Sequence, residues 1–122
     1  PYRHLIGVPY GALPYAISIG AHYQIPFLLL RKERTLKTGK KQIEGKYQMG
    51  DLCIVVEDVV TTGGSLYEAI EEIEQNGLQV GQIVCLLDRG QSKKSQLAKY
   101  PISFLFHLVD GHLSITPDKN KR

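Results

Sequence analysis

The stretch from Ile54 to Ser65 constrains the fold more than any other part of the chain. It begins with an apolar, β-branched run, which predicts a buried parallel strand. Two adjacent carboxylates, Glu57 and Asp58, come next, followed by a loop of Thr, Gly and Ser. Apolar residues then recur at helical spacing, and Gly77 is placed to end that helix. The stretch therefore predicts a strand, a small-residue loop and a helix, in that order.

The small-residue loop is suited to a phosphate group. Gly63 and Gly64 can take positive φ and let a ligand approach the backbone closely. The N–H groups of residues 61–65 lie at the start of a helix, where unpaired donors and the dipole favour an anion. No Lys follows the glycines, so the Walker pattern is absent. The preceding carboxylates suit ribose hydroxyls or a metal ion, so a ribose 5′-phosphate satisfies both ends.

Composition limits the class of protein. A chain of 122 residues, 43% hydrophobic and 22% charged, is typical of one soluble globular domain, here residues 1–122. No apolar run approaches the roughly 20 residues that span a bilayer, so we expect no membrane association. Pro1 is not a typical start, and we expect that a preceding segment was removed. Cys53 and Cys85 lie in predicted buried strands, which favours core thiols and a cytoplasmic location.

Basic residues are concentrated in one segment, although the net charge is only +3. Seven of the 15 basic residues lie there: Arg31, Lys32, Arg34, Lys37, Lys40, Lys41 and Lys46. The simplest interpretation is a solvated loop. No aromatic residue is interleaved among them, so a nucleic-acid surface is not favoured. A site for an anionic small molecule uses the same charges. The small-residue loop at 61–65, referred to below as the phosphate loop, supports that interpretation.

Buried strands alternating with helices predict an α/β fold, with a mainly parallel twisted sheet flanked by helices in a Rossmann-like core. The predicted strands are 5–9, 25–30, 52–56, 80–87 and 102–109, the last at an edge of the sheet. Helices are predicted from residue 13, over 65–76 and over 92–99. In the first helix Leu13, Ala16 and Ile17 share the buried face, and Gly20 allows close packing.

The remaining segments lack apolar periodicity. We interpret 33–46 as a long exposed loop that returns near Gln42–Glu44, and 118–122 as a disordered tail. Four groups of polar residues follow predicted strand ends: 9–11, 31–32, 57–58 and 88–89. In parallel sheets, ligands bind beyond the carboxyl ends of the strands, so these groups are expected to meet at one site. His22 and His107 do not adjoin a predicted strand end and are interpreted as structural.

Residues 55–65, with the sequence VVEDVVTTGGS, resemble the phosphoribosyl pyrophosphate (PRPP) motif of the type I phosphoribosyltransferases. Three further segments resemble the orotate phosphoribosyltransferases, in the form found in uridine monophosphate synthases. Gly7–Pro14 is similar to their pyrophosphate loop, and Gln24–Glu33 is similar to the strand that leads into their catalytic loop. Leu86–Arg89 resembles the strand end whose Arg contacts orotate. The resemblance covers residues 5 to about 110.

The resemblance implies transfer of the phosphoribosyl group of PRPP to orotate in pyrimidine biosynthesis, with Mg²⁺ as cofactor and a homodimer as the assembly. The implied catalytic residues are Arg31, Lys32, Lys37 and Asp58. The implied PRPP-binding residues are Tyr10, Gly11, Glu57, Asp58, Val59, Val60, Thr61, Thr62, Gly63, Gly64 and Ser65. Thr61 and Arg89 are the implied orotate contacts. Mg²⁺ is expected to bind mainly through PRPP, with Glu57 and Asp58 as candidate ligands.

Two departures from the family pattern leave alternatives open. Thr35 occupies the position of a second catalytic-loop Lys, and Lys37 falls where the family has His or Tyr. The N-terminal hood that covers the base in these enzymes does not precede Pro1 in this sequence. A catalytically weak regulatory protein that binds PRPP or a nucleotide, or a phosphoribosyltransferase for another base, is therefore an alternative.

Overall fold

The computed structural model describes residues 1–90 and 97–116. Two helices and one seven-stranded sheet make up this part of the chain. The elements in chain order are β1 (His4–Gly7), α1 (Leu13–Tyr23), β2 (Phe27–Arg34), β3 (Lys41–Glu44), β4 (Leu52–Val60), α2 (Gly64–Gln75), β5 (Gln79–Asp88), β6 (Ile102–Val109) and β7 (His112–Ile115). The strand order is β3-β2-β1-β4-β5-β6-β7, and only β3 and β7 run antiparallel to their neighbours. The predicted α/β fold is confirmed.

The chain leaves the centre of the sheet in two directions. β1 is followed through α1 by β2 on one side, and β4 is followed through α2 by β5 on the other. Because parallel crossovers are right-handed, the two helices cover opposite faces of the sheet. The strand order therefore reverses between β1 and β4, and such a switch point is where open α/β sheets bind ligands.

The core is formed by β1 and β4 with one face of each helix. Leu5 and Ile6 of β1 are completely buried, and so is Ile70 of α2. Gly20 of α1 approaches β1 so closely that an added Cβ would lie 3.2 Å from the Leu5 side chain and 2.8 Å from the Ile25 carbonyl oxygen. This confirms the close packing predicted for Gly20.

One residue of α1 was assigned to the wrong face. Ile17 is 51% exposed, although the sequence predicts that it packs on the core with Ala16. The buried residues are Ala12, Ala16 and Gly20, which are spaced four apart and have small side chains. A stripe of small residues brings the helix close to the sheet and narrows the buried face, so that Ile17, about 100° farther round the helix, is left in solvent.

Two strands extend beyond their predicted ends. β4 continues from Val56 to Val60, and its partner β5 remains in register as far as the pair Val60 and Asp88. β2 continues past Leu30 to Arg34. The prediction that the polar groups at 31–32 and 57–58 follow strand ends is therefore wrong. A partner strand supplies backbone hydrogen bonds irrespective of side-chain polarity, so apolar composition alone underestimates the length of these strands.

The basic segment is a β-hairpin, so the prediction of a long exposed loop over 33–46 is wrong. β2 and β3 enclose a turn of residues 35–40, and the chain returns at 42–44 as predicted. A buried Ile43 and charged contacts hold the hairpin. The Arg34 Nη1 atom lies 2.5 Å from Oε1 of the buried Glu72 in α2, and Lys40 Nζ donates to the Gln75 carbonyl at 3.1 Å. A single apolar residue leaves no periodic signal in the sequence, which is why the hairpin was missed.

The edge of the sheet beyond β6 was also mispredicted. β7 pairs with β6 through a turn at Asp110 and Gly111, both of which have positive φ. The edge strand is therefore β7, and the Asp-Gly dipeptide was the available signal for this hairpin. The predicted helix 92–99 lies largely outside the described residues, and its described end, 97–99, forms a turn. The predicted tail 118–122 also lies outside them.

Two further expectations concern burial and membranes. Cys53 and Cys85 are free and buried, as predicted for core thiols, and burial raises the pKa of each thiol to about 12. Neither helix in the described part of the chain has the length and apolar character needed to cross a membrane.

We expect Arg34→Met to loosen the hairpin, because it removes the charge that pairs with Glu72 while keeping an apolar stem. The free energy of unfolding should fall by about 1 kcal/mol, since one partner is exposed and the other buried. Limited proteolysis should then cut residues 35–40 faster than in the unsubstituted protein. Lys37→Met, in the same turn, is the control. Equal cleavage of both variants would contradict a role for the Arg34–Glu72 pair.

Candidate active site

A notch in the sheet defines the candidate site. β1 ends at Gly7, which is in register with Leu29 of β2 and Val56 of β4. Both neighbouring strands continue, β2 by five residues to Arg34 and β4 by four residues to Val60. The chain after β1 enters the gap between them, with the Val8 N–H donating to the Val56 carbonyl at 2.9 Å. Side chains from β2 and β4 therefore face each other across this loop.

The loop of residues 8–12 contacts both walls of the notch. An added Cβ on Gly11 would collide with Oδ2 of Asp58, so a larger residue would have to displace this carboxylate. On the other wall, Lys32 Nζ lies 5.2 Å from the centroid of the Tyr10 ring, a cation–π contact. The Pro9–Tyr10 peptide bond is cis. Four predicted site residues, Tyr10, Gly11, Lys32 and Asp58, are thus brought together.

The small-residue loop after β4 has the conformation expected of an anion site. Gly63 caps α2 with a φ of 89°, a left-handed conformation that glycine adopts without strain. The helix begins at Gly64, whose N–H lies 3.4 Å from Thr62 Oγ1. Thr61, Thr62 and Ser65 are exposed. Because the first N–H groups of a helix have no intrahelical partner, the loop presents backbone donors and hydroxyls to solvent.

The two acids of the motif have different environments. Glu57 is 4% exposed and is one of the few buried charged residues of the described chain. Its burial, and secondarily a hydrogen bond with Asp58, raise its pKa to about 8. Asp58 is partly exposed, and its Oδ1 accepts the Val59 N–H at 2.8 Å. Near neutral pH, Glu57 therefore acts mainly as a protonated hydrogen-bond donor, while Asp58 presents its carboxylate to the notch.

The neighbouring residues Val59 and Val60 also differ in their exposure to solvent. Val59 is 39% exposed, whereas Val60 is 2% exposed and accepts the Arg89 N–H through its carbonyl at 3.0 Å. Val60 thus connects the end of β4 to the end of β5. Only the backbone of Val60 is available to a ligand from this position.

The described residues do not form a metal site by themselves. No group of three or more His, Cys, Asp or Glu side chains in that part of the chain could hold a metal ion. Glu57 Oε1 already accepts the Asp58 N–H at 3.0 Å, and its raised pKa disfavours a cation ligand. A metal ion here would fit only with most of its ligands supplied by a bound anion and at most the Asp58 carboxylate from the protein.

The predicted catalytic pair Arg31–Lys32 is divided between the two faces of β2. Lys32 lines a cleft of about 420 Å³ together with Ser65 and Glu68 of α2. Arg31 is on the other face, where its Nε donates to Glu44 Oε1 at 2.6 Å, and this hydrogen bond raises the Arg31 pKa. Lys32 therefore faces the phosphate loop, while Arg31 stabilises the hairpin.

Lys37 is not brought into the notch. It lies in the hairpin turn, which contacts Glu72 and Gln75 near the C-terminal end of α2. The phosphate loop is at the opposite end of the same helix. From Ser65 to Gln75 the axis rises about 15 Å at 1.5 Å per residue. The assignment of Lys37 to catalysis stays a prediction.

Arg89 is exposed immediately after β5, and its backbone is tied to β4 through Val60. Thr61, the other predicted base contact, follows Val60 and is also exposed. The two predicted base contacts are therefore held at adjacent strand ends on the same edge of the sheet.

A larger cleft of about 630 Å³ lies at the opposite, amino-terminal edge of the sheet. It is lined by Tyr2, Arg3, His4, Gln24, Ile25, Pro26, Lys46, Tyr47, Gln48 and Asp51. The Asp51 carboxylate in this cleft already has protein partners, because its Oδ2 accepts hydrogen bonds from His4 and from the Gln48 N–H, each at 2.9 Å. This cleft contains no helix start and no predicted site residue. We therefore place the active site at the carboxyl edge, despite the smaller cleft.

Comparison with known proteins identifies the family of the chain. The family model described as the phosphoribosyl transferase domain matches residues 2–109, which include every element around the notch. The chain belongs to this family. The predicted resemblance to the phosphoribosyltransferases is thereby confirmed.

The similar proteins carry related names. The chain is 41% identical over 116 residues to uridine 5′-monophosphate synthase of Caenorhabditis elegans, covering 94% of this chain and 23% of that protein. It is 39% identical over 108 residues to orotate phosphoribosyltransferase of the same organism, covering 88% and 48%. The crystal structure of orotate phosphoribosyltransferase from Aeropyrum pernix superposes with a TM-score of 0.76 at 33% identity, covering 88% and 61%. The chain thus spans less than two thirds of each relative.

Several residues of the site were not found from the sequence. Glu68 lines the cleft with Lys32, Glu44 engages Arg31, and Glu72 holds the hairpin. Helix α2 shows a charged face with no motif, so its carboxylates read as solvent-exposed. The contact between α2 and the hairpin pairs Glu72 with Arg34, and no local pattern in the sequence encodes that contact.

We expect Glu57→Gln to stabilise the protein at alkaline pH. The Glu57 pKa is raised from its usual 4.5 to about 8, so the folded state holds the proton more tightly than the unfolded state. The stability contributed by this proton is present in full below pH 4.5 and is lost as the pH rises towards 8. The unfolding free energies of variant and parent should diverge across that window, by roughly 4 to 5 kcal/mol at its end.

Denaturant unfolding from pH 4 to 9 measures this difference. The matched control is Glu68→Gln, an exposed carboxylate on α2. Parallel pH profiles for the Glu57→Gln variant and the parent would show that the Glu57 pKa is the same in the folded and unfolded states, contrary to the expected raised pKa.

Proposed function

We propose that the protein is an orotate phosphoribosyltransferase, which transfers the phosphoribosyl group of PRPP to orotate and releases pyrophosphate. The observation that carries the proposal is the notch, where the 8–12 loop contacts both Lys32 and Asp58 and where Lys32 lines a cleft with Ser65 of the 61–65 loop. The names of the relatives support orotate as the acceptor. Release of pyrophosphate that depends on orotate is the direct test.

The side chains of the notch match the groups of PRPP. The 61–65 loop offers helix N–H groups and hydroxyls to the 5′-phosphate. Asp58 accepts hydrogen bonds from the ribose hydroxyls, and its negative charge stabilises positive charge that develops on the ribose. The protonated Glu57 beside it adds no second negative charge near the phosphates. The backbone of residues 9–11 and the Lys32 ammonium face the pyrophosphate.

Lys32 has the clearest catalytic role. The departing pyrophosphate gains negative charge in the transition state, and a cation held against the Tyr10 ring is positioned to stabilise it. Mg²⁺, which we propose enters with PRPP, neutralises part of the pyrophosphate charge when bound. The protein contributes at most Asp58 to its coordination. Arg89 offers the planar donor pair that a carboxylate or carbonyl of orotate requires.

A binding protein without rapid catalysis is the second candidate. Arg31 is engaged by Glu44, Lys37 lies near the far end of α2, and Thr35 occupies the position of a second loop Lys. These three observations leave Lys32 as the one cation of the hairpin that faces the notch within the described residues. PRPP binding without pyrophosphate release would favour this second function.

We further propose a homodimer and a reducing, cytoplasmic location. The buried free thiols of Cys53 and Cys85 are compatible with that compartment. The dimer is supported by the family resemblance, and light scattering of the natural protein tests it.

PRPP with Mg²⁺ should raise the melting temperature, because the ligand binds only the folded site. At about 100 times its dissociation constant it should add roughly 2.7 kcal/mol of stability. Asp58→Asn should reduce this shift, whereas Lys46→Ala, in the distant amino-edge cleft, should preserve it. An unchanged melting temperature at saturating PRPP and Mg²⁺ would contradict the proposed site.

Lys32→Ala should lower turnover far more than PRPP affinity, because the Lys32 charge acts mainly on the leaving group. We expect kcat to fall by about 100-fold or more, the usual cost of removing one electrostatic stabiliser. The matched control is its neighbour Arg31→Ala, whose side chain lies on the other face of β2. Its kcat should fall by about tenfold at most, through a looser hairpin.

Both variants should be assayed as the natural full-length protein, by orotate-dependent pyrophosphate release and by PRPP titration. Equal losses of kcat in the two variants would mean that the division of Arg31 and Lys32 between two faces has no catalytic consequence. Near-normal turnover of Lys32→Ala would remove Lys32 from the mechanism.

A further inference from the structure

Arg89 extends from a turn whose backbone is unusually well held. Its side chain is exposed, and within residues 1–90 and 97–116 it has no hydrogen-bond or ion-pair partner. A guanidinium on a long, flexible side chain selects a ligand only if the backbone that carries it is fixed. The contacts that fix it are made by the residues on either side.

Two hydrogen bonds and one close approach to β6 hold the turn of residues 88–90. The Arg89 N–H donates to the Val60 carbonyl of β4 at 3.0 Å. The Gly90 N–H donates to Asp88 Oδ1 at 2.9 Å, and Gly90 has a φ of 79°. An added Cβ on Gly90 would lie 3.2 Å from the Leu108 carbonyl oxygen of β6. The direction in which Arg89 leaves the sheet is thus set by β4, by β6 and by the Asp88 side chain.

Asp88 is itself oriented by a histidine on the next strand. Asp88 and His107 are paired in register across β5 and β6, and His107 Nδ1 lies 3.6 Å from Asp88 Oδ2. Oδ1 of Asp88 thus accepts a hydrogen bond from the Gly90 N–H, while the His107 ring lies beside Oδ2 at more than hydrogen-bond distance. On its other side the His107 ring packs at 5.5 Å against Phe104, which limits its rotation.

We propose that Asp88 and His107 are positioning residues that set the direction of Arg89 and so determine selectivity for an anionic base. This inference rests on the proposed function. Asp88 is only 7% exposed, and burial of a carboxylate is costly unless its oxygens are satisfied. An apolar residue in place of Asp88 would end β5 at a lower desolvation free energy. The carboxylate is explained by the turn it forms, because the acceptor for the Gly90 N–H must lie on the residue before Arg89.

His107 acts through Asp88 and does not touch the base. Its ring nitrogen is a polar neighbour of Oδ2 at 3.6 Å and so favours the orientation of the carboxylate in which Oδ1 accepts the Gly90 N–H. Loss of the ring lets the carboxylate rotate, and the turn then samples other directions for Arg89. The structural role predicted for His107 is therefore, in this proposal, to orient Asp88 and through it Arg89.

Steady-state kinetics on the natural full-length protein test this inference, with the orotate and PRPP concentrations varied separately. Asp88→Ala should raise KM for orotate by about tenfold or more, the loss expected for one charged hydrogen bond. KM for PRPP should change by less than about twofold, because the phosphate loop and Asp58 are on another strand end. Asp88→Asn keeps an oxygen for the Gly90 N–H and should recover most of the orotate affinity.

His107→Asn and His107→Leu extend the test to the second residue. The Asn amide can replace the ring Nδ1 and should leave KM for orotate nearly unchanged, whereas Leu should raise it by about threefold. Asp110→Asn, an exposed carboxylate on the β6–β7 turn, is the control for a change of charge near this edge. If Asp88→Ala does not fold, His107→Leu decides, because the partly exposed ring tolerates substitution better.

The possible outcomes distinguish failure of the positioning role from failure of the proposed function. If the unsubstituted protein releases pyrophosphate with orotate but Asp88→Ala and His107→Leu leave KM for orotate unchanged, the positioning role is overturned and the proposed function stands. Equal rises in both KM values would indicate a general structural role and would also overturn it. If the unsubstituted protein shows no orotate-dependent release, the proposed function falls and the inference falls with it.

Discussion

The close approach of the Gly11 backbone to the Asp58 carboxylate is the contact on which the rest of the site depends. It requires that β1 end at Gly7 while β4 continues to Val60, so that a loop can enter the sheet beside the acid. It also requires a residue without a side chain at position 11, since a Cβ would collide with Asp58. The same loop carries Tyr10 to Lys32. The loop of residues 8–12 therefore contacts both the cation of β2 and the carboxylate of β4.

The charges around the notch are arranged so that few of them compete. Glu57 is buried and holds a proton near neutral pH, which leaves Asp58 as the carboxylate that faces the ligand space. Arg31 is neutralised by Glu44 on the far face of β2. The Lys32 ammonium lies over the face of the Tyr10 ring, which attracts a cation through its quadrupole. A ligand with several negative charges would therefore meet the Lys32 ammonium and the first N–H groups of α2, with the exposed Glu68 carboxylate on the same cleft.

The fold class and the phosphate loop could be predicted because they depend on local sequence. The apolar run, the Gly pair and the helical period of α2 each occupy adjacent residues, and the structure follows them closely. The hairpin, the extensions of β2 and β4 and the strand β7 could not be predicted, because they depend on partners distant in sequence. Ile43 shows the difficulty: one buried residue among charged ones reads as a loop until its packing partner is known. Likewise, Arg31 and Lys32 are adjacent in sequence, and only the strand that contains both of them separates their side chains.

Helix α2 relates the two halves of the site to each other. Its first turn carries Gly64 and Ser65 of the phosphate loop, and its last turns carry Glu72 and Gln75, which hold the hairpin. A helix of this length is rigid. Because the 61–65 loop is at its N-terminal end and the hairpin is attached near its C-terminal end, α2 sets the position of β2 relative to that loop. Lys32 lies on the strand between these two points of attachment, on the face that meets α2. The ion pair of Arg34 with Glu72 lies about two turns of α2 from Ser65, yet it helps to set the distance between the Lys32 ammonium and an anion bound at the 61–65 loop.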